Sequence, residues 1–94
     1  MTKEEEIMQF LHERVFDPVL NSSIASKELK QGVRLTIVRM QNRDALGMVS
    51  YFWPAVTGTE KSVRFARMME EQGFDRFEEA LVDFRDRFGN LWIE

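Results

Sequence analysis

The chain contains no cysteine among its 94 residues. A disulfide framework, thiolate metal ligands and a cysteine nucleophile are therefore excluded, and the composition suits a reducing compartment. The sequence also lacks a run of about 18 apolar residues, the length that a membrane-spanning helix needs. The acidic start at residues 2–6 is not typical of a secretory signal. We expect a cytoplasmic protein with no membrane partner.

Proline, glycine and histidine are scarce. Two prolines and five glycines leave no linker, no low-complexity tract and no glycine-rich phosphate loop, so residues 1–94 are predicted to form one domain. His12 is the only histidine, and none of the residues three or four positions from it is acidic. We therefore predict no catalytic residue, no metal site and no cofactor, and we expect a protein that is not an enzyme.

The first helix is predicted over residues 3–16. Thr2 and Glu5 have the three-residue spacing of a capping box, and apolar residues then recur at helical spacing. We expect the helix to end at Asp17, because the residue before a proline avoids the helical region of backbone space.

The second helix is predicted to begin at about Ser26. Its apolar stripe has steps of four, four and three residues and consists of Leu29, Val33, Ile37 and Met40. Residues 33–37 also alternate between apolar and polar, as a half-buried strand would. The helix is favoured because the sequence offers no second strand for pairing.

The third helix is predicted from Ala45 to Trp53, with its start capped in residues 42–44 and its end at Pro54. Alternatively, the second and third helices form one long helix, because positions 40, 44, 48 and 52 stay in phase. The pattern leaves both possibilities open.

Two further helices are predicted in the last third of the chain. Gly73 is expected to end the fourth helix in a left-handed conformation, and Asp75 with Glu78 has the spacing of a capping box that opens the fifth. The fifth helix carries the most regular stripe, formed by Phe77, Leu81, Phe84 and Phe88, and Gly89 is predicted to terminate it. The sequence therefore predicts an all-α fold, a small single-domain bundle of four or five short amphipathic helices, up-and-down or orthogonal.

Carboxylates are abundant on the fifth predicted helix, at Glu78, Glu79, Asp83 and Asp86. General acid–base chemistry needs two carboxylates that face each other across a cleft. Here Glu79 and Asp83 are expected to share the solvated side opposite the aromatic stripe, with Asp83 and Arg87 as a favourable pair four residues apart.

Basic residues are concentrated between positions 24 and 47, where five of them accompany two acids, whereas both ends of the chain are acidic. Lys27, Lys30 and Arg34 share one helical face, with Arg39 and Arg43 on a flank. Such a stripe could contact the phosphates of a nucleic acid. The sequence pI near 5.2 argues against this, and we expect these cations mainly to complement the acidic helices of the same chain.

Aromatic residues form a consecutive run at Tyr51, Phe52 and Trp53. Neighbours in a helix are turned by about 100°, so all three cannot face one core. A second apolar group lies near the C-terminus, at Leu91, Trp92 and Ile93. These six residues are the predicted interface of a non-enzymatic helical protein-interaction module that associates with itself, most simply as a dimer, or with another protein. Nucleic-acid binding is the alternative function.

Methionines suggest a third possibility, because methionine lines adaptable pockets. Four are candidates for a small-ligand site between helices: Met40, Met48, Met68 and Met69. The filling of the core explains them equally well.

Overall fold

Five helices make up most of the chain. The computed structural model describes the backbone of residues 2–57 and 60–93, and the side chains of residues 2–52 and 64–89. Helix α1 consists of three consecutive segments, Lys3–Leu11, His12–Phe16 and Asp17–Leu20, and is followed by α2 (Lys27–Met40), α3 (Ala45–Thr57), α4 (Glu60–Glu71) and α5 (Phe77–Ile93). No strand occurs in the described ranges. The all-α prediction is confirmed, and the strand alternative for residues 33–37 is wrong.

Side-chain caps start three of the helices. The Thr2 hydroxyl accepts a hydrogen bond from the Glu5 backbone N–H at 3.1 Å, as the capping box predicts. The Ser26 hydroxyl accepts from the backbone N–H three residues further on, also at 3.1 Å. Asp44 accepts from the Gly47 N–H at 2.8 Å. Each cap satisfies a backbone donor that the first turn of a helix leaves without an intrahelical partner.

Helices α2 and α3 are separate. The N–H of Arg43 bonds to the carbonyl oxygen of Met40 at 2.9 Å, which closes a turn after α2, and Asp44 then caps α3. Positions 40, 44, 48 and 52 share one helical phase, but the turn between them separates α2 from α3. The alternative of one long helix is therefore wrong.

The predicted stop at Asp17 is wrong, because α1 continues to Leu20. Its middle segment, His12–Phe16, is a π-helical turn in which the Asp17 N–H bonds to the carbonyl of His12, five residues back. In a regular α-helix the ring of Pro18 would press on the carbonyl four residues earlier. The wider turn just before Pro18 lets the helix pass the proline, as such turns commonly do where a helix is disturbed.

Two further predicted helix ends are wrong. Helix α3 runs past Pro54 to Thr57, and α5 runs past Gly89 to Ile93. A proline removes one backbone hydrogen bond without forbidding the helix, and glycine inside a helix costs only about 1 kcal/mol relative to alanine. Gly73 does end α4, as predicted, and has a φ of +91°. Helix α5 begins at Phe77, one residue later than the Asp75 cap predicts.

The core forms around α3, which contacts all four of the other helices. Phe84 on α5 lies at its centre and is fully buried. Its ring centroid lies 4.8 Å from that of Phe52, 5.1 Å from Phe88 and 6.0 Å from Phe10. The predicted stripes of α2 and α5 also enter the core, with Leu29, Val33, Met40 and Phe77 buried and Ile37 and Leu81 partly buried, and α1 contributes six buried residues, from Ile7 to Val19. Burial of these stripes holds together helices that would be marginal alone.

Polar contacts also join different helices. The Arg14 guanidinium lies 2.7 Å from the Asp83 carboxylate and connects α1 to α5. The Gln72 side chain accepts from the Ser26 N–H at 2.7 Å and donates to the Ser26 hydroxyl at 3.1 Å, which links the end of α4 to the start of α2. These contacts fix the helices relative to one another more specifically than apolar packing does.

Candidate functional site

The aromatic run is divided between the core and its edge. Phe52 is only 6% exposed and packs on Phe84, so it belongs to the core of this chain and not to its surface. Tyr51 is half-buried. The other four residues of the predicted interface, Trp53, Leu91, Trp92 and Ile93, lie outside the residues whose side chains are described.

Tyr51 is covered by a basic residue of its own chain. The guanidinium carbon of Arg43 lies 4.9 Å from the centroid of the Tyr51 ring, within the range of a cation–π contact. The Nε–H of Arg43 also donates to the carbonyl of Arg39 at 3.0 Å. Tyr51, a residue of the predicted protein interface, therefore packs against Arg43, one of the predicted phosphate contacts.

The basic residues of α2 remain at the surface. Lys27, Arg34 and Arg39 are exposed, and Lys30 is half-buried. Among the described residues, neither these four nor Arg43 lies within ion-pair distance of a carboxylate. The carboxylate of α2, Glu28, pairs instead with Arg64 of α4 at 2.8 Å. The expected pairing of the basic stripe with acidic helices of the same chain is therefore absent from the described part of the structure.

Two apolar side chains on α2 face solvent, and the sequence patterns did not single them out. Leu35 is 49% exposed and Val38 is 56% exposed. They are three residues apart and therefore neighbours on one helix surface. A helical projection could have found them, because at 100° per residue both lie on the side opposite Leu29, Val33 and Met40.

Glu79 lies exposed on the outer side of α5, as predicted, whereas Asp83 is half-buried. Glu78, Glu79 and Asp86 are exposed, and the apolar Val82 among them is 46% exposed. The predicted Asp83–Arg87 pair does not form. The carboxylate of Asp83 instead binds Arg14 of α1, while the guanidinium carbon of Arg87 lies 5.8 Å from the centroid of the Phe10 ring. A tertiary contact has replaced the local pair.

His12 has an acidic neighbour that α-helical spacing did not reveal. Its Nδ1 lies 3.0 Å from the Oδ1 of Asp17, and its ring packs edge-on against Phe16 at 5.3 Å between centroids. Asp17 is five residues from His12 in the sequence, and the π-helical turn places residues with this spacing on the same face of the helix. Within the described residues no group of three histidines or acids is close enough to hold a metal ion.

A charged groove lies between α1 and α5. It encloses about 310 Å³ and is lined by Glu6, Gln9, Phe10, Glu13, Arg14 and Arg87. The ammonium of Lys3, 3.0 Å from Glu6, holds the pKa of that carboxyl below its ordinary value of 4.5, and Arg87 contributes in the same direction. Because acids and arginines alternate around the groove, it offers no region of a single charge for a ligand.

The methionines fill the core. Met40, Met48 and Met69 are at most 2% exposed, and Met68 packs against the same cluster. A cleft of about 310 Å³ between α1 and the turn after α4 includes Met69 alone of the four. Neither this cleft nor the charged groove between α1 and α5 is lined by more than one of the four methionines.

None of the helices described here combines the length and the apolar character needed to cross a membrane. Comparisons with protein-family models, with characterised proteins and with solved structures find no match to this chain.

Proposed function

We propose that this chain is a non-enzymatic helical protein-interaction module of the cytoplasm that associates with itself, most simply as a dimer. The observation that supports this most is the exposure of Leu35 and Val38 one turn apart on α2. Each side chain is about half exposed, so its burial by a partner would contribute roughly 1 kcal/mol. The two side chains are neighbours and form a small apolar patch within a charged surface, which a second chain can cover.

The proposed surface differs from the one that the aromatic run predicts. Phe52 stabilises the core and Tyr51 packs under Arg43, so neither offers a free apolar group. Trp53 and residues 91–93 remain part of the proposal as a second contact region. The outer side of α2 is its principal part.

Substitution of the two exposed apolar residues tests the proposal. We expect Leu35→Gln combined with Val38→Gln to shift the wild-type dimer to monomer in sedimentation velocity at micromolar concentration, with an unchanged helical circular dichroism spectrum. Leu46→Gln is the control, because Leu46 is 53% exposed at the start of α3. A wild-type chain that is monomeric throughout a dilution series reaching several hundred micromolar would disprove self-association.

Nucleic-acid binding is the second candidate function, and one observation favours it. Among the described residues, Lys27, Lys30, Arg34 and Arg39 have no carboxylate at ion-pair distance and are available to phosphates, whereas the guanidinium of Arg43 packs on the Tyr51 ring. The net charge of −3 opposes it, and we expect only weak association with nucleic acid at physiological salt.

Titration of duplex and single-stranded nucleic acid at several salt concentrations tests the second candidate. We expect Lys30→Gln with Arg34→Gln to leave any weak binding nearly unchanged. Sub-micromolar binding that falls steeply with salt, and that these two substitutions abolish, would make nucleic-acid binding the leading function.

A further inference from the structure

Helix α2 presents an outer face that is both basic and apolar. We define the α2 outer face as Lys27, Gln31, Arg34, Leu35 and Val38, all of which are exposed. At 100° per residue they lie on one side of the helix, opposite the buried stripe. One carboxylate, Glu28, lies at the edge of this face on the same side as Leu35, and it is paired with Arg64 of α4.

Helix α5 presents an outer face of the opposite charge. We define the α5 outer face as Glu78, Glu79, Val82 and Asp86, all exposed. The side chain of Asp86 is 67% exposed, and its nearest cation, Arg85, lies 3.6 Å away at the edge of this face. Val82 lies between Glu79 and Asp86 on the helix surface, which gives the face an apolar centre between acidic groups.

The two faces match in spacing as well as in charge. Lys27 and Arg34 are seven residues apart on α2, and Glu79 and Asp86 are seven residues apart on α5. Seven residues are two helical turns, or about 10.5 Å along the axis. Two cations can therefore meet two carboxylates at the same time when the helices are antiparallel, with Arg34 opposite Glu79. In that register Val82 lies opposite Gln31, and Leu35 and Val38 lie at the end of the contact, just beyond Arg34.

We propose that the α2 outer face of one copy of this chain packs on the α5 outer face of a second copy. This inference rests on the proposed function and names its partner surface. Within one copy both faces are open to solvent, so their partners come from outside the chain. Opposite charges favour this pairing over the packing of either face against itself, where like charges would meet.

A two-fold axis completes the contact. A standard interface buries about 800 Å² on each partner, whereas one 14-residue helix is about 21 Å long and about 10 Å wide and offers far less area. The proposal requires that both faces of one copy reach the same partner around a two-fold axis, so that two equal contacts form and the dimer closes. A single contact of this kind would leave one basic and one acidic face free to add further copies, and assemblies larger than a dimer would overturn the two-fold arrangement.

Charge reversal and mixing test the pairing. We expect Arg34→Glu alone and Glu79→Lys alone each to raise the dimer dissociation constant about tenfold or more, because like charges then meet. An equimolar mixture of the two variants should dimerise about as tightly as wild type, because the reversed faces match each other and the unchanged faces keep the original contact. Arg67→Glu and Glu70→Lys, exposed on α4, are controls with the same changes of net charge.

The outcomes separate the two proposals. A wild-type chain that never dimerises defeats the proposed function, and the α2–α5 pairing fails with it. A wild-type dimer that both charge reversals leave intact overturns the pairing alone. Weakening by the single variants without recovery in the mixture also overturns it, because the two faces are then not each other's partners.

Discussion

Substitution of Phe84 by alanine tests the assignment of the core. Phe84 is fully buried, and its ring packs against Phe10, Phe52 and Phe88, which belong to α1, α3 and α5. Removal of a buried phenyl group leaves a cavity that the neighbouring rings can fill only partly, and such changes cost about 3–5 kcal/mol. A domain of this length has a free energy of unfolding of roughly 5–14 kcal/mol, so the substitution should remove a large part of its stability.

Urea denaturation followed by far-ultraviolet circular dichroism measures this loss. Wild type and variant are compared at one protein concentration, because self-association would otherwise contribute to the apparent stability. Leu46→Ala is the control and should cost less than about 1 kcal/mol, since Leu46 is half exposed. A loss below about 1 kcal/mol for Phe84→Ala would refute the reasoning, because the stripe of α5 would then lie outside the core.

Three further predictions concern the backbone, a carboxyl group and the C-terminus. Gly32→Ala should raise the free energy of unfolding by about 0.5–1 kcal/mol, because an added Cβ meets no atom within 4 Å. Gly73→Ala should lower the free energy of unfolding by about 1–2 kcal/mol, because the φ of +91° strains any residue other than glycine. The pKa of Glu6, measured by nuclear magnetic resonance titration, should lie below 4.5 and return toward it in Lys3→Ala. Since the folded state lowers this pKa, the small stabilisation from Glu6 is present above pH 4.5 and is lost as the pH falls through the lowered value. A Glu6 pKa that Lys3→Ala leaves unchanged would refute Lys3 as the cause of the shift. Truncation after Asn90 should shift the dimer toward monomer in light scattering with helical content retained, and an unfolded truncated chain would assign residues 91–94 to the core.

Much of the fold could be predicted from local signals in the sequence. The sequence predicts helix starts at Thr2 and at about Ser26, and both hydroxyls accept a backbone hydrogen bond from the first turn; the capping bond itself is predicted for Thr2 but not for Ser26. The stripe on α5 was predicted by spacing alone, and three of its four members, Phe77, Phe84 and Phe88, are at most 4% exposed. Caps and stripes depend on residues that are close in sequence, so the sequence shows them directly.

Helix ends that depend on tertiary contacts could not be predicted in the same way. Pro18, Pro54 and Gly89 each weaken a helix by a few kcal/mol at most, and packing can offset such a penalty. Helix α3 contacts all the other helices, and α1 passes Pro18 through a π-helical turn. That turn also explains why the sequence did not reveal Asp17 as the partner of His12, because a spacing of five residues does not join neighbours on an α-helix.

The candidate surface was predicted less well than the fold. Consecutive aromatic residues showed that some must leave the stripe, but not which ones, and the structure places Phe52 in the core. Leu35 takes part in the strand-like alternation of residues 33–37, and no sequence pattern singles out Val38. An apolar residue in a helix is usually expected in the core. Exposed apolar residues become apparent only when their angular position around the helix axis is compared with that of the buried stripe.

The mass of the wild-type chain in solution tests self-association most directly. One chain has a mass of 11.1 kDa, so a dimer has a mass of about 22 kDa. Light scattering at micromolar concentration and about 50 mM salt should give the dimer mass, and about 1 M salt should shift it toward 11.1 kDa, because salt at that strength screens exposed charges beyond about 3 Å. A mass of 11.1 kDa at both salt concentrations, maintained to several hundred micromolar protein, would contradict the proposed function.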